Sequence, residues 1–341
     1  MNLDPSKRYS AEEFLWSASQ AEREREAQTA PTPTPVPPTV RNRRMLRLAL
    51  LLGLATIFST FWAGVVAWEP LGLVGPSIQQ WSLLPIRQAL LANWVGGLQF
   101  ALGLMAILVA HELGHYILTI IYRVPSTPPL FIPFPFISPI GTMGAVILMQ
   151  SGSADRKQIF DIGLAGPLAG LLVAVPVICY GIIDADPIRY APDKALYIGQ
   201  PLLIQWLAMW LSPDNAGNFV RVVNTEANPF LMAGWVGLLV TGINMMPLGQ
   251  LDGGHVTFGL VGPRSYWIAV AATVMSVAYM FYTQVAMFAL MLFLVYLMGL
   301  RHPPSSNDSR SLGLPRQIIG WASLALPILC IPVRPLEVLG I

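Results

Sequence analysis

The run WVGGLQFALGLMAILVAHELGHYILTIIY, Trp94–Tyr122, is long and apolar enough to span a bilayer, yet it holds His111, Glu112 and His115 within five residues. Ionisable side chains in the middle of a span each cost on the order of 2.5–3.5 kcal/mol on insertion scales, so three together call for a function that offsets them. Four residues along a helix turn through about 400°, which sets the His111 and His115 side chains roughly 40° apart on one face. At that spacing two histidines grip one Zn²⁺, and Glu112 flanks the ion without having to bind it. Zinc lowers the pKa of a bound water to about 7, and a neighbouring Glu takes its proton as it attacks a carbonyl. The competing reading, two structural histidines, leaves the burial of Glu112 unexplained.

Working outward, the whole chain fits that setting. Of its 341 residues 54% are hydrophobic and 11% charged, with a mean hydropathy of +0.58. Soluble domains carry about 25% charged residues, so the fold class is an α-helical polytopic membrane protein in a lipid bilayer. A net charge of +2 gives no reason to expect a nucleic-acid partner. Cys179 and Cys330 fall in apolar runs with no CxxC pairing and read as small buried hydrophobes.

Residues 1–44 are different material: mixed charges followed by a Pro-rich run, Pro31 to Pro38. They read as a disordered tail with a short helix around Ser10–Arg25, and as neither a signal peptide nor a transit peptide. Arg41, Arg43, Arg44 and Arg47 cluster at the start of the first span, Met45–Trp68, and place the N-terminus in the cytoplasm. An external loop, Glu69–Ala92, closes the segment 45–91. The second span returns inward to Arg123, twelve residues beyond His111, which sets the histidines about 18 Å from that Arg, nearer the cytoplasmic side.

Six prolines between Pro125 and Pro139 forbid a helix, although the segment is too apolar for a solvated loop. Pro128–Met149 therefore reads as a re-entrant, membrane-embedded β-hairpin with a strand-like arm at Ile140–Met149; an interfacial loop is the alternative. Gly141 and Gly144 would let another backbone come close. A third span, Phe160–Ile183, carries Gly163, Gly166 and Gly170, a spacing that suits close helix packing. The external loop Asp184–Asn228 contains Gly199–Leu211, too short to span and expected along the surface. A fourth span, Pro229–Met246, leads to Asn244-Met-Met-Pro-Leu-Gly-Gln-Leu-Asp252-Gly-Gly-His255.

Pro247 and the glycines end that helix and leave Asp252 an isolated carboxylate at about the depth of the histidines. Asp252 is a third zinc ligand or, alternatively, a helix cap. His255 reads as an interfacial histidine, with a fourth-ligand role open. Tyr266–Leu300 holds two spans turning near Thr283–Gln284. Arg301–Arg316 is a polar loop in which His302 is an ordinary solvated residue, and Gln317–Val333 is a last span. The total is about seven transmembrane helices (six to eight), divided into a core at 92–262 and C-terminal helices at 263–341.

His111-Glu-x-x-His115 on a membrane helix, together with Asn244-x-x-Pro-x-x-x-x-Asp252-Gly-Gly, closely resembles the site-2 protease family of intramembrane zinc metalloproteases. The resemblance covers roughly Ala92–Leu260. It implies one zinc per chain on His111, His115 and Asp252, with Glu112 as general base and Asn244 holding substrate or oxyanion. It matches Gly141 and Gly144 to the glycine motif of the family's hairpin, hence to substrate binding. It also implies a transmembrane protein substrate already trimmed by another protease, whose cleavage releases a regulator to the cytoplasm. The Asp184–Asn228 loop is too short for the PDZ domain of many bacterial members, and no cystathionine-synthase-type domain follows the last span. The plan is closer to cyanobacterial members and their chloroplast relatives, the yellow-green-mutant proteases, in a bacterial plasma or thylakoid-type membrane. A metal transporter or a zinc-binding membrane scaffold without hydrolysis is the rival reading. Transport has no need of Glu112 at its position.

Overall fold

Ten helices and five short strands are found among the described residues of the computed structural model, which are 38–69, 77–78, 81–136, 138–185, 196–214, 217, 221–223, 228–283, 289–308, 310–332 and 336–338. The chain runs α1 (Pro38–Val65), α2 (Leu84–Ile121), β1 (Leu130–Pro133), β2 (Thr142–Val146) and α3 (Arg156–Asp184). It continues with β3 (Leu196–Gly199), α4 (Leu202–Leu211), β4 (Arg221–Val223), α5 (Pro229–Asn244) and α6 (Asp252–Val261). A 3₁₀ turn, Gly262–Arg264, leads to α7 (Ser265–Thr283), α8 (Ala289–Met298), α9 (Leu314–Ser323), α10 (Leu326–Cys330) and β5 (Leu336–Val338). The expected tail helix at Ser10–Arg25 and most of the Asp184–Leu196 connection lie outside the described residues.

Among the described residues, four helices are long and apolar enough to cross a membrane: Arg43–Val65, Leu84–Ile121, Arg156–Asp184 and the composite Asp252–Tyr282. The count of seven was expected from runs that are shorter as helices. Pro229–Met246 is helical for 16 residues, about 24 Å against a hydrocarbon core of about 30 Å. Gln317–Val333 is not one helix: it breaks at Leu324–Ala325, because Pro327 lacks an N–H and its ring crowds the carbonyl of Ser323. In the other direction, α2 starts well inside the expected external loop. Pro85 stands in its first turn, where a missing N–H leaves nothing unsatisfied.

Within the unit formed by residues 45–341, α2, α3, α5 and α6 pack side by side. Helix α5 is buried on every side from Leu231 to Leu238, as an all-apolar helix in a bundle interior must be. Phe100, Leu104 and Ile107 of α2 meet Ala174 and Ile178 of α3 and Leu231, Val236 and Leu238 of α5 in one cluster. Gly114, inside the His111–His115 motif, brings α2 against α3: a Cβ there would lie 2.5 Å from the Ala165 carbonyl oxygen.

Strands β1 and β2 form an antiparallel hairpin, Leu130 opposite Val146 and Phe131 opposite Ala145, with an irregularity before Pro133. A proline in a strand is tolerated at such a site because no ladder donor is lost. Gly141 has φ +76° and a Cβ on it would meet the Ser59 carbonyl and lie 2.8 Å from Thr60 Cα; the Ser59 hydroxyl donates to the Gly141 carbonyl. The hairpin is thereby seated on α1. A second sheet, β4–β3–β5, is antiparallel throughout and went unexpected, since three- and four-residue strands carry too little alternation to read.

The two hairpin glycines separate strain from packing. Gly144 also has positive φ, +93°, but open space around it. Gly144→Ala is expected to cost about 1–2 kcal/mol, the left-handed backbone alone. Gly141→Ala adds a backbone clash and should lower the unfolding midpoint clearly further. Thermal unfolding in detergent measures both.

Candidate metal centre

Helix α2 turns His111 and His115 toward the interior, their rings 5.0 Å apart and inclined at 67°. Both are buried, as is Glu112 at 5% exposure. From 137 residues further along the chain, Asp252 enters at the start of α6. Its Oδ2 lies 3.1 Å from His111 Nε2 and its Oδ1 3.3 Å from His115 Nε2. The three donor atoms fall within 4.8 Å of one another. The helix-cap reading of Asp252 does not hold, for Leu251 occupies the cap and makes no side-chain bond.

The neighbourhood dictates what this set can hold. His115 Nδ1 lies 2.7 Å from the Ile162 carbonyl. A carbonyl only accepts, so Nδ1 carries a proton and Nε2 is left to face Asp252. Against a carboxylate in a buried pocket, Nε2 either carries a second proton and ion-pairs with Asp252 or shares a metal ion with it. Two imidazole nitrogens and a carboxylate oxygen are a donor set that zinc accepts, with a position left open. The residues fit the ion, and the Ile162 carbonyl fixes the ring that would bind it.

Helix α3 supplies the back wall. A Cβ at Gly166 would fall on the His115 imidazole, one at Gly170 would lie 3.1 Å from His111 Nδ1, and one at Gly163 would lie 2.6 Å from His255 Cβ. The spacing of these glycines marks one face of α3; that the face receives imidazoles rather than only a helix is what the sequence reading missed. Gly253 and Gly254 have a comparable task. A Cβ on either would strike the carbonyls of Met245 or Gly249, so the chain leaving α5 folds tightly back on α6. This fold brings Asn244, the last residue of α5, into the same cavity as Glu112 and Asp252.

That cavity has a volume of about 320 Å³, and Ala145–Gln150 form part of its lining. Gly141 and Gly144, expected to touch substrate, are not among its lining residues; Gly141 is occupied by α1. His302 requires a correction. Instead of standing in solvent it enters the cavity wall, its Nε2 2.7 Å from His255 Nδ1 and its ring stacked on Phe258 at 4.1 Å and 7°. Burial pushes the His302 imidazole below the usual histidine range. No local pattern reveals this, because the partner lies 47 residues away. His255 is bonded to His302, and the buried set identified as able to hold a metal is His111, His115 and Asp252.

Four helices able to cross a bilayer and a buried His-His-Asp donor set define a helical membrane protein of the metalloprotein class. More particularly, the chain belongs to Peptidase family M50, whose family model matches residues 99–292. It is 31% identical over 229 residues to the probable zinc metalloprotease EGY1, chloroplastic, of Oryza sativa subsp. japonica, covering 63% of this chain and 38% of that protein. The EGY1 protein of Arabidopsis thaliana is 29% identical over 229 residues, covering 64% and 40%. The Arabidopsis EGY2 protein is 29% identical over 171 residues, covering 50% and 30%. The chain thus spans about two fifths of the length of the first two relatives.

The α3 wall gives a test free of the ligands themselves. Gly166→Ala displaces the His115 ring and is expected to weaken zinc binding at least about tenfold, the lower end of what ligand misorientation costs. Chelator competition on the purified variant measures it.

Proposed function

We propose that this chain is an intramembrane zinc metalloprotease that cleaves a peptide bond in or near a transmembrane helix of another membrane protein. The observation that carries the reading is one cavity holding three things together: the His111–His115–Asp252 donor set, the carboxylate of Glu112, and an extended segment, Ala145–Gln150. Transport accounts for the first but not for the other two.

His111, His115 and Asp252 hold the ion, which when bound supplies Lewis-acid polarisation of the scissile carbonyl and of water. Glu112 accepts a proton from the water that attacks the carbonyl carbon. As the C–N bond breaks, it passes that proton to the leaving amine. Asn244 donates from its side-chain amide to the oxygen on which charge develops. A helical peptide bond is shielded by its own turn, so the substrate must be extended when it reaches these groups. In the two-stranded sheet β1 occupies one edge of β2, and the other edge is suited to strand addition, with the substrate backbone as the added strand. Gly141 and Gly144 serve this step indirectly, by holding the hairpin in shape.

The setting follows from the same reading. We place the hairpin 128–149 at membrane depth, where its irregular backbone is covered by protein. The shorter helices α5, α8 and α9–α10 complete a multi-pass, seven-span topology with the N-terminus cytoplasmic. The domain plan is a tail that gives way to α1 at Pro38, earlier than the expected boundary at 44, then a first helix and loop to 91, the catalytic core at 92–262 and the C-terminal helices at 263–341. The same reading takes the substrate as one already shortened by another protease, in a plasma or thylakoid-type membrane; the curated relatives are named chloroplastic.

Glu112→Gln is expected to keep its zinc and lose cleavage by about 10²–10⁴-fold, the worth of a general base. Metal analysis and a panel of single-span substrates read the two quantities separately, and cleavage retained by this variant would contradict the mechanism. Asn244→Ala should lower kcat by about 10²–10³-fold with zinc unchanged.

A further inference from the structure

The segment 301–308 lies in the connection from α8 to α9, and it is tied down at both ends. At one end His302 sits between two residues of α6. Its Nδ1 lies 2.6 Å from the Pro303 carbonyl, so Nδ1 carries the proton and Nε2 accepts from His255 Nδ1–H at 2.7 Å. The Phe258 ring stacks beneath it. At the other end the Ser306 N–H donates to the Ala154 carbonyl at 2.9 Å, and the Arg156 N–H donates to the Asn307 carbonyl at 3.3 Å. Between these ties stand Pro303 and Pro304, which line the same cavity as Glu112 and Ala145–Gln150.

Proline has no N–H and cannot extend a β-ladder. A wall made of two prolines therefore offers an extended peptide no donors from those residues, and leaves strand pairing to the β2 side. We propose that His302 is a positioning residue that latches the 301–308 segment onto α6, and that Pro303–Pro304 then form a non-pairing wall that confines an extended substrate to the edge of β2 opposite β1. The inference rests on the protease reading for its substrate and deepens it by naming what sets the register of that substrate in the cavity. His302 touches neither the donor set nor the reacting atoms. It acts through the wall it holds.

The first arm of the test is kinetic, on the full chain with a single-span substrate. His302→Ala should raise KM about tenfold with kcat within about twofold and zinc content unchanged. His302→Gln, whose Oε1 accepts from His255, should restore KM, while His302→Phe, which keeps only the stack, should not. A fall in kcat at constant KM, a loss of zinc, failure of the Gln variant to rescue, or wild-type KM in all three variants would each overturn the latch. The second arm needs no turnover. A photoreactive benzophenone side chain is introduced at position 304, and separately at 148, in the Glu112→Gln background and irradiated with the same substrate. Crosslinks from both positions support the wall; crosslinks from 148 and not 304 overturn it and leave the protease reading standing. If wild type fails to cleave while 304 still crosslinks the substrate, the wall stands and the protease reading falls.

Discussion

Two imidazole nitrogens and a carboxylate held within 4.8 Å of one another in a buried cavity set the terms for everything around them. With His115 Nδ1 committed to the Ile162 carbonyl, Nε2 and the Asp252 carboxylate face each other, and a positive charge between them, a proton or a metal ion, offsets the several kcal/mol that burying the carboxylate costs. The surrounding chain meets that demand with absence of bulk. Glycines 166 and 170 clear room for the rings, Gly114 lets α2 approach α3, and Gly253 and Gly254 let the turn after α5 close. Each removes a side chain where a donor or a carbonyl must come near.

The same economy shapes the polypeptide around the cavity. On one side is the hairpin, seated on α1 through Gly141 and presenting Ala145–Gln150. On another is the 301–308 segment, held by His302 and by backbone bonds to residues 154 and 156. Helical segments supply the chemistry and non-helical ones supply the shape. That division follows from the physics: a helix has no free backbone groups to offer a substrate, whereas a strand edge does.

Much of this was legible in the sequence, for reasons that differ between elements. The pairing of His111 with His115 follows from helical periodicity, and the proline density of 125–139 excludes a helix with no tertiary information. Asp252 was legible as an isolated carboxylate beside glycines at the right depth. What could not be read is what each face meets. The glycine face of α3 looked like helix packing, and the imidazoles behind it come from another helix. His302 looked solvated because a His-Pro-Pro sequence after an Arg has no local mark of burial; its partners are on α6. Helix limits failed where proline acts asymmetrically, extending α2 at Pro85 and interrupting the last segment at Pro327.

The metal's coordination tests the account at its centre. X-ray absorption at the zinc edge on the purified full chain should show about one zinc per chain in a shell of nitrogen and oxygen near 2.0–2.1 Å, with imidazole scattering and no sulfur. That signal should be lost in Asp252→Ala. A sulfur shell, an absent metal, or a spectrum indifferent to Asp252 would contradict the site described here.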